Sequence, residues 1–148
     1  MKILTKNETA RFLLERDNFT ILSHRRPDGD TIGSAAALCR GLRALGKQAW
    51  ILENNEVTPL FQPLLEGLTK PEPEEGDLLL AVDVAADNML PKSCDHLKNN
   101  IDLRIDHHGS ATSFTGEKTI FIPRPLGRSG WVYTPTTWKP SAMICFRQ

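Results

Sequence analysis

The sequence predicts an α/β domain with a mainly parallel sheet flanked by helices. Short apolar, β-branched runs alternate along the chain with stretches of helical spacing. The run from Leu78 to Val82 is apolar throughout, as expected of a strand covered on both faces. The 148 residues, 40% apolar and 24% charged, suffice for one domain with a buried core.

Thr5 and Glu8 form a capping-box pair ahead of an apolar stretch, so residues 6–16 read as a helix. Phe19 to Ser23 reads as a strand. His24 to Asp30 (HRRPDGD) is loop by chemistry: Pro27 fixes φ and Gly29 permits a positive φ. Thr31 to Leu45 is Ala- and Leu-rich with helical spacing, and Gly46 supplies its stop. Ala49 to Leu52 is a second strand. Thr58 and Pro59 open a short helix that runs to Leu65, with Thr58 as cap and Pro59 first in the helix. Residues 71–77 (PEPEEGD) form an exposed acidic loop, and Asn54 and Asn55 are solvated as well. Leu78 to Val82 follows as the buried strand. Residues 91–99 form a weak helix, and Ile101 to Ile105 is the last clear strand.

Eighteen basic and eighteen acidic residues balance, which excludes a globally basic nucleic-acid binder. No apolar stretch approaches the roughly 18 residues of a membrane span. The polar N-terminus is not a signal peptide. Three separated cysteines (Cys39, Cys94, Cys145) give neither a disulfide framework nor a Cys-x-x-Cys metal site. The chain therefore reads as cytoplasmic. Residues 118–148 contain five bases and no acid, four of the ten prolines and two of the three tryptophans. Residues 1–120 are accordingly expected to be the domain. Residues 121–148 are expected to be an irregular, non-native tail left by truncation or a frame shift.

The candidate chemistry sits where three strands end. The first strand runs into His24, Asp28 and Asp30. The buried strand runs into Asp83, and the last strand runs into Asp106, His107 and His108. Ligands of open α/β sheets bind beyond the carboxyl ends of the strands. Each motif alone is ordinary turn chemistry; at three strand ends of one sheet they jointly point to a metal-phosphate site. The Pro27-Asp28-Gly29-Asp30 turn can aim two carboxylates in different directions, as a binuclear site requires, and Asp83 could bridge the pair. The helix beginning near Thr31 offers free N–H groups and a dipole to a phosphate, with Arg25 and Arg26 beside it. Histidine and carboxylate donors without thiolates suit manganese, with zinc, iron or cobalt as alternatives. His96 reads as surface and Cys39 as core.

The motifs SHRRPDGDTIGS (23–34), AVD (81–83) and IDHHGS (105–110) resemble those of the DHH phosphoesterase family, named for its Asp-His-His signature. The first motif is most similar to that of the bacterial branch that degrades very short RNA and dephosphorylates phosphoadenosine phosphate. The resemblance covers roughly residues 1–120. It implies that His24 and Asp28 hold one manganese ion, that Asp30 and His107 hold a second, and that Asp83 bridges them. Asp106 would support the histidine pair from behind, and His108 would sit against the scissile phosphate. A water activated by the two ions would attack phosphorus in line, with no covalent enzyme intermediate.

Family members carry a fourth, Asp-containing motif some fifty residues after Asp-His-His. They then continue into a second domain that grips the substrate, and the intact protein can form a homodimer. The segment 118–148 offers no Asp or Glu for the fourth motif. The resemblance thus implies a hydrolase acting on short single-stranded RNA or nucleotides. Two alternatives stand beside it: a catalytically incompetent fragment that binds metal or nucleotide, and a pyrophosphatase-like hydrolase.

Overall fold

The computed structural model describes residues 2–108 and 120–121. Lys2–Ile3 (β1) pairs in parallel with Ile120–Phe121 (β7). Helix Lys6–Glu15 (α1) starts at the expected capping box: the Thr5 hydroxyl accepts the Glu8 N–H, and the Glu8 carboxylate accepts the Thr5 N–H at 2.8 Å. Strand Phe19–Leu22 (β2) leads through the loop into helix Gly29–Ala44 (α2). Ala49–Leu52 (β3), helix Gln62–Leu65 (α3), Thr69–Lys70 (β4), Leu78–Val82 (β5) and Ile101–Ile105 (β6) follow. Beyond His108, the expected tail lies outside the described residues apart from Phe121.

Strands β2 to β6 form one parallel sheet in the order β4-β3-β2-β5-β6. The chain starts at the centre with β2, winds outward to β3 and β4, then returns to β5 beside β2 and winds outward to β6. The neighbours β2 and β5 therefore send their connections in opposite directions, which opens a crevice beyond their carboxyl ends.

Both faces are covered, as the apolar run at 78–82 requires. Leu80 and Val82 join Phe19, Ile21, Ile32 and Leu42 under the helices. Leu79 and Ala81 join Leu22, Leu90 and Cys94 on the other side. Cys39 lies wholly within the helical layer, as expected of a small core residue.

Several local expectations are corrected. Helix α2 begins at Gly29, two residues before Thr31. Gly29 is helical, and the positive φ of this loop falls on Arg26 (φ 49°). The segment from Thr58 to Phe61 is a turn closed by Phe61 N–H on Thr58 O at 3.0 Å, and α3 begins only at Gln62. A helix starting at Pro59 would need a Pro63 N–H to bond the Pro59 carbonyl, and proline has none.

Residues 91–99 form no continuous helix. Lys92–Cys94 and Lys98–Asn100 are separate 3₁₀ turns, closed by bonds such as Cys94 N–H to Pro91 O at 2.8 Å. The Asp, Asn and Ser side chains of this stretch compete with helical bonding. The acidic loop is not solvated throughout: the Asp77 side chain is 7% exposed, paired with Lys70 and accepting the Thr20 hydroxyl.

Strand β6 carries one extra residue. Leu79 pairs with Ile101, but Leu80 pairs with Leu103, so Asp102 has no opposite number. Its carboxylate accepts the Leu79 N–H at 3.0 Å. The insertion changes the phase of the strand: Ile101 packs on one face of the sheet and Leu103 on the other. A one-residue change of phase turns every later side chain to the opposite face, so this insertion sets how Asp106, His107 and His108 leave the sheet.

Candidate metal centre

The crevice between β2 and β5, extended by β6, holds every site residue that the sequence singled out. His24 and Asp83 are buried, at 9% and 6% exposure, and Asp106 is buried beneath the histidine pair. His107 and His108 are half-buried, and Asp28 and Asp30 are exposed.

Asp28 is the N-cap of α2. Its Oδ1 accepts the N–H groups of Asp30 (3.0 Å) and Thr31 (3.1 Å). The Thr31 N–H holds the Asp28 carboxyl below its ordinary value, against partial burial that pushes the other way. The Asp30 N–H, His24 and the Thr31 hydroxyl add to the lowering. This geometry corrects one expectation. The helix N–H groups of Asp30 and Thr31 are spent on Asp28, and that of Ile32 on the Asp28 carbonyl. These three N–H groups are not free for a phosphate.

The His24 ring Nδ1 lies 2.6 Å from the Arg25 carbonyl, which can only accept, so Nδ1 carries the proton. That leaves Nε2 as the ring nitrogen that could meet a cation. Asn54, at the end of β3, donates its amide to the His24 carbonyl (3.0 Å) and to Ser23 Oγ (3.1 Å). It is a fixed support of this strand end and not the solvated residue expected. Position alone could have flagged it, since it stands where a neighbouring parallel strand ends.

Asp83 follows the last residue of β5 in the left-handed region (φ 58°), a conformation that Asp tolerates better than most residues. The Asp83 N–H reaches Ile105 O at 2.9 Å, which ties it to β6. Its Oδ2 accepts the Thr31 hydroxyl at 2.7 Å. Its Oδ1 is buried and accepts no hydrogen bond from the described residues, yet it lies 3.0 Å from His107 Nε2 and 3.6 Å from His108 Nδ1. Asp30 Oδ2 approaches the same His107 nitrogen at 3.4 Å.

Asp106 Oδ1 accepts the backbone N–H groups of His107 (2.8 Å) and His108 (3.3 Å), and lies 2.7 Å from His108 Nδ1. That bond raises the pKa of His108 against its partial burial, and the charges of Asp106, Asp83 and Asp30 raise it further. Arg104 is almost fully buried on β6. Its Nη1 donates to the Ala85 carbonyl at 3.1 Å, anchoring the loop that follows Asp83. Burial lowers the Arg104 pKa, and the Asp106 charge opposes the shift. Sequence reading missed Thr31 and Arg104 as parts of this assembly; a single Thr in a helix and a single Arg in an apolar strand carry no motif signal.

The donor atoms fall into two groups that could hold a cation: His24, Asp28 and Asp83, and Asp83, His107 and His108. Within each group they lie within 4.8 Å of one another. A buried carboxylate oxygen without a hydrogen bond, close to imidazole nitrogens, costs free energy unless a cation joins it. The oxygen and imidazole donors therefore fit a divalent metal.

A separate groove of about 980 Å³ lies away from these groups, between the acidic loop and the 3₁₀ turns. Glu72, Glu74, Glu75, Asp77 and Asp102 line it, and their charge would repel a phosphate. His96 is exposed at this groove, as expected of a surface residue. No helix among the described residues is long and apolar enough to cross a membrane.

Comparison with known proteins agrees with the motifs. The Bifunctional oligoribonuclease and PAP phosphatase NrnA of Thermus thermophilus is 33% identical to this chain over 96 residues, which is 64% of the chain. The matched stretch spans 29% of that protein's length. The family model described as "DHH family, N-terminal domain" matches residues 18–131, most of the chain and all three strand-end motifs. With those motifs meeting in one crevice of a parallel α/β sheet, the chain belongs to the DHH family of phosphoesterases through that family's N-terminal domain.

Proposed function

We propose that this chain supplies the metal-binding half of a hydrolase that cleaves phosphodiester or phosphomonoester bonds in short oligoribonucleotides or nucleotides. The observation that carries the reading is the sharing of Asp83 between two groups of metal donors. Two divalent cations there, manganese by donor type, would neutralise phosphate charge and make a water acidic enough to act as nucleophile. The substrate class follows the relative's name, an oligoribonuclease and PAP phosphatase.

The roles of the chain's own groups follow from their bonds. His24 presents Nε2 because Nδ1 is committed to the Arg25 carbonyl. Asp28 spends Oδ1 on the start of α2 and keeps Oδ2 for a cation. Asp83 faces both groups, and Asp30 joins His107 on the second. Asp106 orients His108 through its Nδ1, which leaves Nε2 for a phosphate oxygen, the second cation falling to Asp83, Asp30 and His107. Neither Cys39 nor Cys94 takes part, in keeping with their buried positions.

Titration calorimetry with Mn²⁺ tests the reading. The chain should bind the ion, and Asp83→Asn should abolish binding at both groups. Full Mn²⁺ binding by Asp83→Asn would remove the basis of the proposal. Turnover of a dinucleotide, set against pyrophosphate, by a protein that joins this chain to its substrate-gripping domain then fixes the substrate. Cleavage of pyrophosphate alone would replace the nucleotide reading.

A further inference from the structure

We infer that Thr31 is a positioning residue of the centre: its hydroxyl fixes the free oxygen of Asp83 toward the cations. This rests on the metal reading above. Thr31 is fully buried in the first turn of α2. Its N–H donates to Asp28 Oδ1 at 3.1 Å, and its hydroxyl lies 2.7 Å from Asp83 Oδ2 and 3.3 Å from Asp28 Oδ1. A hydroxyl has one proton, and both neighbours are carboxylates. The shorter contact takes the proton, so the hydroxyl donates to Asp83. Asp28 is already satisfied by the two N–H groups at the helix start.

One residue thereby touches a carboxylate from the β2 loop and a carboxylate from the end of β5, the latter 52 positions from Thr31 in the chain. Each carboxylate has one oxygen committed to the protein. For Asp83 the remaining oxygen, Oδ1, is the buried one turned toward His107. Without the hydroxyl, Asp83 would lose the bond that holds Oδ2 and helps select its rotamer. Loss of a bond that orients a metal ligand typically weakens metal affinity by about 10–100-fold.

The test compares Thr31→Val, which keeps the shape and removes the hydroxyl, with Thr31→Ser, which keeps the hydroxyl and removes the methyl. Mn²⁺ binding is read by calorimetry, and folding by circular dichroism. Thr31→Val is expected to weaken Mn²⁺ binding by about 10-fold or more, while Thr31→Ser stays within about 3-fold of the unsubstituted chain. If Thr31→Val does not fold, Thr31→Ala takes its place with the same expectation. Unchanged affinity in the Val or Ala variant, or equal losses in Ser and Val, would overturn the role of Thr31 and leave the metal centre standing. Absence of Mn²⁺ binding by the unsubstituted chain would overturn both.

Discussion

His107 Nε2 stands 3.0 Å from Asp83 Oδ1, a buried carboxylate oxygen that accepts no hydrogen bond from the described residues. The two groups come from different strand ends, and Asp30 and His108 approach the same point. Two carboxylates, those of Asp83 and Asp30, thus face one imidazole nitrogen, and the buried oxygen of Asp83 is costly to leave without a partner.

Asp83→Asn keeps the shape, tolerates the left-handed backbone, and can still accept the Thr31 hydroxyl. The metal-free variant should be as stable as the unsubstituted chain, or more stable by about 1 kcal/mol. Stabilisation by Mn²⁺ should disappear. Thermal unfolding with and without the ion checks both. A large loss of metal-free stability would show that Asp83 serves the fold and not a cation.

Asp102 takes the Leu79 N–H that the strand insertion leaves without a ladder partner. Asp102→Ala should cost about 1–3 kcal/mol, the penalty for a buried donor left unsatisfied. Asp102→Asn, which still offers an acceptor oxygen, should cost less. Urea unfolding of the two variants gives the comparison, and equal costs would refute the assignment.

The Lys70–Asp77 pair has side chains 10% and 7% exposed. Burial raises the Asp77 pKa, but bonds from Lys70, Thr20 and the Glu74 N–H outweigh it and hold the carboxyl below 3.8. Its contribution is therefore fully present above the unfolded value and lost as pH falls through the folded one. Asp77→Ala should destabilise the chain by about 3 kcal/mol near neutral pH, because it strands a buried Lys70. The gap between variant and unsubstituted chain should narrow toward about pH 2. Denaturant midpoints across that range measure it; a gap that widens on acidification would contradict the sign.

Cys39 and Cys94 are buried, and burial raises both thiol pKa values, with Arg43 and Arg40 opposing the shift at Cys39. Alkylation of these two residues, followed peptide by peptide, should be slow in the folded chain and fast in denaturant. Mn²⁺ binding should survive Cys39→Ala, within the stability limits of a core substitution. Rapid native alkylation of Cys39 would place it outside the core.

The alternation of elements, the doubly covered strand at 78–82 and the three strand-end motifs were legible in the sequence, because they depend on side-chain periodicity and on residues adjacent in the chain. Short apolar runs report burial, and Pro, Gly and Asp report where the chain turns. The tertiary structure decided what periodicity cannot express. Ile101, Leu103 and Ile105 alternate in the sequence as if on one face, yet the extra residue at Asp102 sends Ile101 to the opposite core from Leu103. The order β4-β3-β2-β5-β6 places His24 and Asp83 beside each other, and Thr31 joins two carboxylates far apart in the chain. Strand order, phase and shared hydrogen bonds arise from contacts between distant segments, and so they exist only once the sheet has assembled.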